Sequence, residues 1–181
     1  MGKNKALISF AGLPLIQRVV ERVRPIAGEL LIISNDRAPF EFLNLPIIPD
    51  RIPGQGALSG LYTSLSVARL PFVAPIACDM PFINPALLQA ELDLLLNCKA
   101  DVVIPESPDG LEPLHAVYRR EACLPFVQES LIQQQRRLIG WFGQVNVRIM
   151  TATEVAEFDP GKHAFININT PDDLTWAESL T

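Results

Sequence analysis

The first residue of this sequence that could take part in chemistry is an aspartate that directly follows an apolar run. Asp79 comes after residues 71–78, PFVAPIAC, which have the composition of a buried strand. A carboxylate just past a buried strand is well placed to hold Mg²⁺, because this ion binds through one or two carboxylates together with substrate phosphates. The alternative is that Asp79 caps a turn or a helix, and position alone does not decide between these roles.

A lysine close to the start of the chain is the second candidate. Lys5 could neutralise the charge on a triphosphate and on its leaving pyrophosphate. With Gly2 and Lys3 it reads like the end of a phosphate-binding loop, which normally follows a buried strand and leads into a helix. A helix does follow, since apolar residues recur at helical spacing through residues 15–26. The alternative is an ordinary exposed lysine.

A glycine-rich loop follows Asp50 in the stretch PDRIPGQGALSGL, residues 49–61. Gly54, Gly56 and Gly60 allow positive φ angles and a close approach of a ligand to the backbone. The backbone N–H groups of this loop, together with the N-terminus of the next helix, could bind a base, a ribose or an anion. Long loops favour glycine in any case, so the pattern is also that of an ordinary loop.

Polar side chains follow two further apolar runs. Asn35 and Asp36 end the run LLIIS, where either could hydrogen-bond a base edge or form a turn. Asn167 and Asn169 alternate along FININT, so both point to one side of a strand predicted over residues 165–168. Two amides on one side of a strand suit ligand binding, and they also suit turn formation.

The histidines and cysteines indicate neither a nucleophile nor a structural metal. His115 shares a strand-like run with Glu112 and Tyr118 and has no carboxylate or cysteine at metal spacing, which favours a packed, hydrogen-bonded histidine. No G-x-S-x-G or G-x-x-x-x-G-K-[ST] motif occurs. The cysteines form no C-x-x-C pair, which argues against zinc and disulfide frameworks; they are Cys78, Cys98 and Cys123.

Bulk composition is that of a globular protein with a single domain over residues 1–181. Hydrophobic residues make up 49% and charged residues 19%, and no apolar run approaches the ~20 residues of a membrane span. The net charge of -5 gives no electrostatic basis for nucleic-acid binding. Charged residues, and no cleavage site, follow the basic and apolar start, which argues against a secretory signal. We therefore expect a cytoplasmic protein without a membrane or nucleic-acid partner.

Apolar runs alternate with amphipathic stretches, which predicts an α/β fold with a mostly parallel sheet and helices on both faces. Strands are expected at residues 30–34, 45–49, 71–78, 101–105, 113–118, 145–150 and 165–168. Helices are expected from residue 15, at 58–68, at 85–97 with Asn84 as a cap, within 120–142, and from Pro171 with Thr170 as a cap. Ligands bind at the carboxyl ends of the strands in such sheets, where the candidate residues lie.

Taken in order, these segments resemble the molybdenum cofactor guanylyltransferases and related nucleotidyltransferases. The resemblance runs from residue 1 to residue 178 with family-like spacing, through MGKNKAL, AGLPLIQRVVERV, IISND, PDRIPGQGALSGL, ACDMPFI, EPLHAVY and FININTPDDL. EPLHAVY and NINTPDDL are the most specific segments. They favour the molybdenum cofactor enzyme over sugar-nucleotide and cytidylyl transferases.

The resemblance implies a nucleotide-diphospho-sugar transferase-like fold and the transfer of GMP from Mg-GTP to molybdopterin, with release of pyrophosphate. The attacking group would be the terminal phosphate of molybdopterin, which is already negatively charged at neutral pH. Positioning and charge neutralisation then suffice, without a nucleophile and base of the protein.

The resemblance also assigns roles to matching positions. Lys5 would touch the phosphates and Asp79 would bind Mg²⁺, and these two would be the catalytic residues. The remaining positions would bind guanine and ribose or, for the last two, lie towards the pterin; they are Asn35, Asp50, Gly56, Leu58, Gly60, Asn167 and Asn169. Other cofactor-biosynthesis proteins or molybdenum enzymes are the protein partners that the resemblance implies.

The sequence departs from the family's pattern at its start. Family members begin with a buried strand and a loop resembling L-A-G-G-x-S-x-R, which leads into M-G-x-D-K, and Met1 falls on the methionine of this second segment. We expect the true start to lie upstream, with a truncated paralogue that binds GTP poorly as the alternative. Without the strand, backbone edges and apolar faces would be exposed. Asn4, Ala57 and Ser59 are smaller departures within the motifs.

Two other functions stay open from the residues alone. Another nucleotidyltransferase of the same fold would act on CTP or on a sugar phosphate. A truncated, non-catalytic module would bind the pterin or dock to a partner enzyme.

Overall fold

Strands and helices alternate along residues 4–181, which are the residues that the computed structural model describes. The strands are β1 (Ser9–Phe10), β2 (Leu13–Pro14), β3 (Ile32–Ile33), β4 (Ile47–Ile48), β5 (Phe72–Val73), β6 (Val102–Ser107), β7 (Gly110–Leu111), β8 (Val117–Arg119) and β9 (Val147–Met150). The helices are α1 (Leu15–Val23), α2 (Ala57–Val67), α3 (Pro85–Cys98), α4 (Arg120–Ile132), α5 (Ala152–Ala156) and α6 (Pro171–Glu178). No helix formed by residues 4–181 has the length and apolar composition that a membrane span requires.

The largest sheet has the strand order β5-β8-β6-β9. β8 runs antiparallel to both of its neighbours, whereas β6 and β9 pair in parallel from Val102↔Val147 to Pro105↔Met150. β5, β6 and β9 therefore run in one direction, and β7 folds back on the end of β6 as a hairpin. The predicted α/β fold is confirmed, with β8 as a reversed strand inside the sheet.

β6 lies at the centre of the core because its side chains are buried on both faces of the sheet. Val102 and Ile104 face one side, where they pack with α2, α4 and Trp141. Val103 faces the other side and packs with α3. All three strand side chains are fully buried. Because side chains alternate along a strand, a continuous apolar run of this kind requires helices on both faces.

A second, smaller pair of parallel strands is formed by β3 and β4, with Ile32 opposite Ile47. This pair packs against α1, which contributes Ile16 and Val20 to the shared apolar cluster. The opposite flank of the same helical face, at Val19 and Val23, packs with α3 and with the loop before it. The apolar residues that recur at helical spacing in the sequence are therefore the residues that α1 buries.

An open apolar groove separates the β3–β4 pair from the larger sheet. The groove has a volume of about 460 Å³ and is lined by α1, α2, β3, β5 and the residues beside these elements. Within residues 4–181, β3 pairs with β4 alone and β5 pairs with β8 alone. The other edge of each strand borders the groove, so its backbone N–H and C=O groups have no ladder partner in the described part of the chain.

Several predicted strands are shorter in the structure, since those over residues 30–34, 45–49 and 71–78 are regular only within β3, β4 and β5. Residues 165–168 form no strand: the N–H of Ile168 donates to the carbonyl oxygen of Asp79 over 3.0 Å, outside any ladder. The preceding backbone N–H groups, of residues 163–164, donate to the carboxylate of Asp159. Within the segment itself the N–H of Ile166 donates to the carbonyl oxygen of His163, so a turn takes the place of a strand here, and the sequence pattern does not reveal that.

The predicted strand over residues 113–118 is also shorter in the structure. It is regular within β8 and is preceded by an isolated bridge between His115 and Ile76. The stretch 120–142 forms α4 and then an irregular segment that leads into a 3₁₀ turn, Phe142–Gln144.

The predicted helix caps are confirmed. The side chain of Asn84 accepts hydrogen bonds from the N–H groups of Ala86 and Leu87, over 3.0 and 3.3 Å, at the start of α3. Thr170 and Asp173 form a capping box at the start of α6. Both caps are local in sequence, which is why the sequence predicts them.

Candidate active site

Lys5 and Asn169, which are far apart in sequence, meet at one end of the fold. Lys5 begins a 3₁₀ turn, and its Nζ donates to the side-chain oxygen Oδ1 of Asn169 over 2.9 Å. The predicted phosphate ligand and one predicted pterin ligand are therefore direct neighbours. The other two residues of the predicted phosphate loop, Gly2 and Lys3, lie outside the described residues.

Asp173 fixes the backbone beside this contact. Its carboxylate accepts hydrogen bonds from the N–H groups of Asn169 and Thr170, over 2.9 and 2.8 Å. These backbone N–H groups hold the pKa of Asp173 below its usual range, and the nearby charge of Lys5 acts in the same direction. The backbone of Asn169 is thus fixed by the cap of α6, and its side-chain oxygen is held by Lys5.

Asp79 lies beside the same contact. Its carbonyl oxygen accepts the N–H of Ile168, the residue before Asn169. The neighbouring thiol of Cys78 has its pKa raised to about 11 by burial, with the Asp79 carboxylate adding to this shift and the Lys5 ammonium opposing it. The charges of Asp79 and Lys5 therefore act on the Cys78 thiol in opposite directions.

The donor set at Asp79 fits a magnesium ion that is carried by a nucleotide. Residues 4–181 contain no cluster of three or more His, Cys, Asp or Glu side chains that could hold a metal ion by themselves. Mg²⁺ does not need one, because it keeps water ligands and takes further oxygens from substrate phosphates. In this range no hydrogen bond or ion pair engages the Asp79 carboxylate, which leaves it available as a ligand.

A second group of predicted residues is built on a reciprocal contact between Asn35 and Asp50. The Nδ2 of Asn35 donates to Oδ2 of Asp50 over 3.0 Å, and the N–H of Asp50 donates to Oδ1 of Asn35 over 2.9 Å. The other carboxylate oxygen of Asp50, Oδ1, is buried without a partner in the described chain. An acceptor left open in this way suits the N–H groups of a base or the hydroxyls of a ribose.

The glycine loop follows Asp50 and ends at the first turn of α2. Gly54 and Gly56 have φ angles of 87° and 60°, in the region that favours glycine, and Gly56 is the N-cap of the helix. The side chain of Leu58 is fully buried in the core. Any contact of Leu58 with a ligand therefore has to come from its backbone N–H at the helix N-terminus.

The groove is lined by residues of the second group, namely Asp50, Gly56 and Gly60, and by Cys78, the residue before Asp79. No hydrogen bond within residues 4–181 joins the Asn35–Asp50 pair to Lys5 or Asp79. The structure thus places the predicted residues in two separate groups, and Cys78 is the point at which the groove comes next to Asp79 in the chain.

Asn167 stands apart from both groups. Its side chain is exposed, and its Nδ2 donates to the carbonyl oxygen of Phe165 over 3.1 Å. Asn167 and Asn169 are both exposed on either side of the buried Ile168, so they do share a side of the segment although it forms no strand.

The sequence did not predict a buried pair beneath this segment, Glu91 and His115. Oε1 of Glu91 lies 3.0 Å from Nδ1 of His115, and both side chains are fully buried. Burial raises the pKa of Glu91 to about 7, and the hydrogen bond with His115 opposes this shift. The prediction of a packed, hydrogen-bonded histidine is confirmed. Its partner lies on α3, and no short-range spacing connects the two residues.

Comparisons with known proteins show which family this chain resembles. Residues 1–146 match the model of the MobA-like NTP transferase domain. The probable molybdenum cofactor guanylyltransferase of Carboxydothermus hydrogenoformans is 37% identical over 176 residues, which cover 96% of this chain and 86% of that protein. The molybdenum cofactor guanylyltransferase of Desulfosudis oleivorans is 31% identical over 180 residues, which cover 98% of this chain and 87% of that protein.

Solved structures extend the agreement to three dimensions. Molybdopterin-guanine dinucleotide biosynthesis protein A from Archaeoglobus fulgidus matches with a TM-score of 0.85 at 28% identity, covering 99% of this chain and 91% of that one. The 2-C-methyl-D-erythritol 4-phosphate cytidylyltransferase of Thermus thermophilus matches with a TM-score of 0.72 at 18% identity, covering 97% and 93%, and so shares the fold. On the family model and the two relatives above 30% identity, the chain belongs to the MobA-like NTP transferase family.

Proposed function

We propose that this protein transfers GMP from Mg-GTP to molybdopterin and forms the guanine dinucleotide cofactor and pyrophosphate. The names of its relatives, which are guanylyltransferases along nearly the full length of this chain, support this proposal. The site supports it through the contact of Lys5 with Asn169 beside Asp79. That contact is the observation that carries the proposal, because it joins a cation for phosphates to a polar amide at the position where two anionic substrates have to meet.

The Asn35–Asp50 pair and the glycine loop would bind the nucleotide. Asp50 offers an acceptor oxygen that has no partner among residues 4–181 and lies beside the groove, which suits the N–H donors of guanine or the ribose hydroxyls. The N-terminus of α2 adds backbone N–H groups and the positive end of a helix dipole. The base and the sugar would therefore lie over Gly56–Gly60 and the phosphates would extend towards Lys5.

The chemical step makes modest demands on the protein. An oxygen of the molybdopterin phosphate forms a bond to the α-phosphorus of GTP, and the bond from this phosphorus to the oxygen that bridges to the β-phosphate breaks. The nucleophile is already an anion, so no side chain has to remove a proton. Lys5 neutralises charge on the phosphates, and Asp79 would hold Mg²⁺, which when bound supplies further positive charge against the leaving pyrophosphate.

Asn167 and Asn169 would position the acceptor. Both side chains are exposed on the segment that crosses Asp79, and amides can donate and accept hydrogen bonds to a pterin ring or its phosphate. We include in the proposal that these small molecules, and neither nucleic acid nor a membrane, are the substrates, and that the protein works in the cytoplasm.

The proposed function is tested by incubating the chain with molybdopterin, Mg²⁺ and each of GTP, ATP and CTP in turn. Release of pyrophosphate and the mass of the dinucleotide product are measured. We expect product with GTP at a rate well above that with the other nucleotides. Preference for CTP, or equal use of all three nucleotides, would overturn the assignment in favour of another transferase of the same fold.

A further inference from the structure

We infer that the buried Glu91–His115 pair is a positioning device that sets the segment of residues 165–169 against Asp79, and that it thereby controls binding of the acceptor. This inference rests on the proposed function, since the acceptor is molybdopterin only if that function holds. Neither residue touches the proposed nucleotide ligands, so both are positioning residues and not catalytic ones.

His115 contacts the backbone run that ends at Asp79. His115 and Ile76 form an isolated antiparallel bridge, three residues before Asp79. The N–H of His115 donates to the carbonyl oxygen of Glu112 over 3.0 Å. The backbone of His115 is therefore fixed against the same strand-like run that places the proposed metal ligand.

The ring of His115 contacts the segment of residues 165–169. Its plane meets the ring of Phe165 edge to face, with centroids 5.1 Å apart and an angle of 75° between the planes. Phe165 begins the segment that carries Asn167 and Asn169, and its carbonyl oxygen accepts the side-chain N–H of Asn167. His115 thus packs beneath the proposed acceptor ligands while its backbone holds the run to Asp79.

Glu91 fixes the orientation of the His115 ring. Its carboxylate binds Nδ1 over 3.0 Å. No second polar contact orients the ring, because Nε2 of His115, like Oε2 of Glu91, has no partner in the described chain. A fully buried pair with two unsatisfied atoms costs stability compared with well-packed apolar residues. A stability role alone therefore does not explain the pair, whereas a need for one ring orientation does.

The test compares four variants with the wild-type enzyme. Glu91→Gln keeps an acceptor for Nδ1, whereas Glu91→Met removes it at similar volume. Glu91→Met combined with His115→Leu makes the site wholly apolar, so it removes the unsatisfied atoms together with the ring. Phe165→Leu removes the edge-to-face contact with the His115 ring and leaves the Glu91–His115 pair intact. For each variant the melting temperature, kcat, the KM of molybdopterin and the Kd of Mg-GTP are measured.

We expect the variants to change the KM of molybdopterin and to leave the Kd of Mg-GTP nearly unchanged. The KM of molybdopterin is expected to rise about tenfold or more in the double variant and in Phe165→Leu, because small displacements of positioning groups have large effects on reaction rates. The Kd of Mg-GTP is expected to stay within about twofold of the wild-type value. Glu91→Gln is expected to restore near wild-type kinetics. A double variant that melts at or above the wild-type temperature and has wild-type kinetics would overturn the inference.

Two further measurements keep the inference separate from the proposed function. Binding of molybdopterin to each variant is followed by the fluorescence of the pterin, which needs no turnover. If the wild-type enzyme forms no dinucleotide but binds the pterin, and the double variant binds it more weakly, the proposed function fails and the positioning role stands. If the double variant does not fold, Phe165→Leu decides: unchanged pterin binding in that variant contradicts the inference.

Discussion

The ammonium group of Lys5 lies 2.9 Å from Oδ1 of Asn169, a residue 164 positions later in the chain. This contact joins the proposed phosphate end of the site to the proposed pterin end. Replacing Lys5 by Met is expected to lower the rate of GMP transfer by about a hundredfold, as for the loss of one group that stabilises developing charge. Pyrophosphate release under saturating substrates measures this change. Arg136, an exposed cation that takes no part in the site contacts described here, provides the matched control in Arg136→Met, and an equal loss in that variant would contradict the role of Lys5.

We expect the preference for GTP over other nucleotides to depend on the Asn35–Asp50 pair. Asp50→Ala removes the buried acceptor Oδ1 and the hydrogen bond that Oδ2 accepts from Asn35. We expect GTP affinity to fall by roughly tenfold to a hundredfold and the preference for GTP over ATP to narrow, because a site built around a polar contact loses discrimination with that contact. Competition of ATP and CTP against labelled GTP is the measurement. An unchanged preference would place base recognition elsewhere.

We expect the groove between β3 and β5 to accommodate an added β-strand. A variant in which a short Val- and Ile-rich strand precedes residue 4 is expected to place that strand in the groove, where apolar side chains and two strand edges are available. The melting temperature should rise by about 5 °C or more, since 1 kcal/mol corresponds to about 2–4 °C in a chain of this size. The same segment with two of its residues changed to Pro is the control, because Pro cannot donate ladder hydrogen bonds. Equal stabilisation by both segments would argue against strand pairing.

The Glu91 carboxyl predicts a dependence of stability on pH. Its pKa in the folded protein is raised to about 7 by burial, from an ordinary value of 4.5. A raised pKa means that the protonated form is favoured by folding, so this contribution is present below about pH 4.5 and is lost as the pH rises towards 7. Relative to wild type, Glu91→Gln should therefore gain roughly 1–3 kcal/mol of unfolding free energy between these limits. Urea unfolding at four pH values from 5 to 8 measures the difference, and a constant difference would contradict the shift.

The sequence predicts the parts of this site that depend on local patterns. Asp79 could be identified because it follows a buried apolar run, and Thr170 because a cap and its helix are adjacent in the chain. The reciprocal bonds of Asn35 and Asp50 could not be predicted, since they depend on how β3 and β4 lie side by side.

Contacts between distant elements account for the remaining differences. Residues 165–168 have the composition of a strand, but the N–H of Ile166 donates to His163 in a local turn and that of Ile168 to the carbonyl oxygen of Asp79, outside any ladder. Glu91 reads from the sequence as an ordinary polar residue of an amphipathic helix. Its full burial against His115 follows from the packing of α3 on the sheet, which no periodicity encodes.

The central claim is that Asp79 holds the magnesium ion of a GTP complex in this site. Calorimetric titration of GTP into the protein, with Mg²⁺ and then with EDTA in its place, tests it most directly when wild type, Asp79→Asn and the exposed control Asp93→Asn are compared. We predict that wild type and Asp93→Asn bind GTP in a Mg²⁺-dependent manner and that Asp79→Asn loses about tenfold or more of that affinity, since the ion is held through one or two carboxylates. Equal Mg²⁺-dependent affinity in Asp79→Asn would contradict the claim.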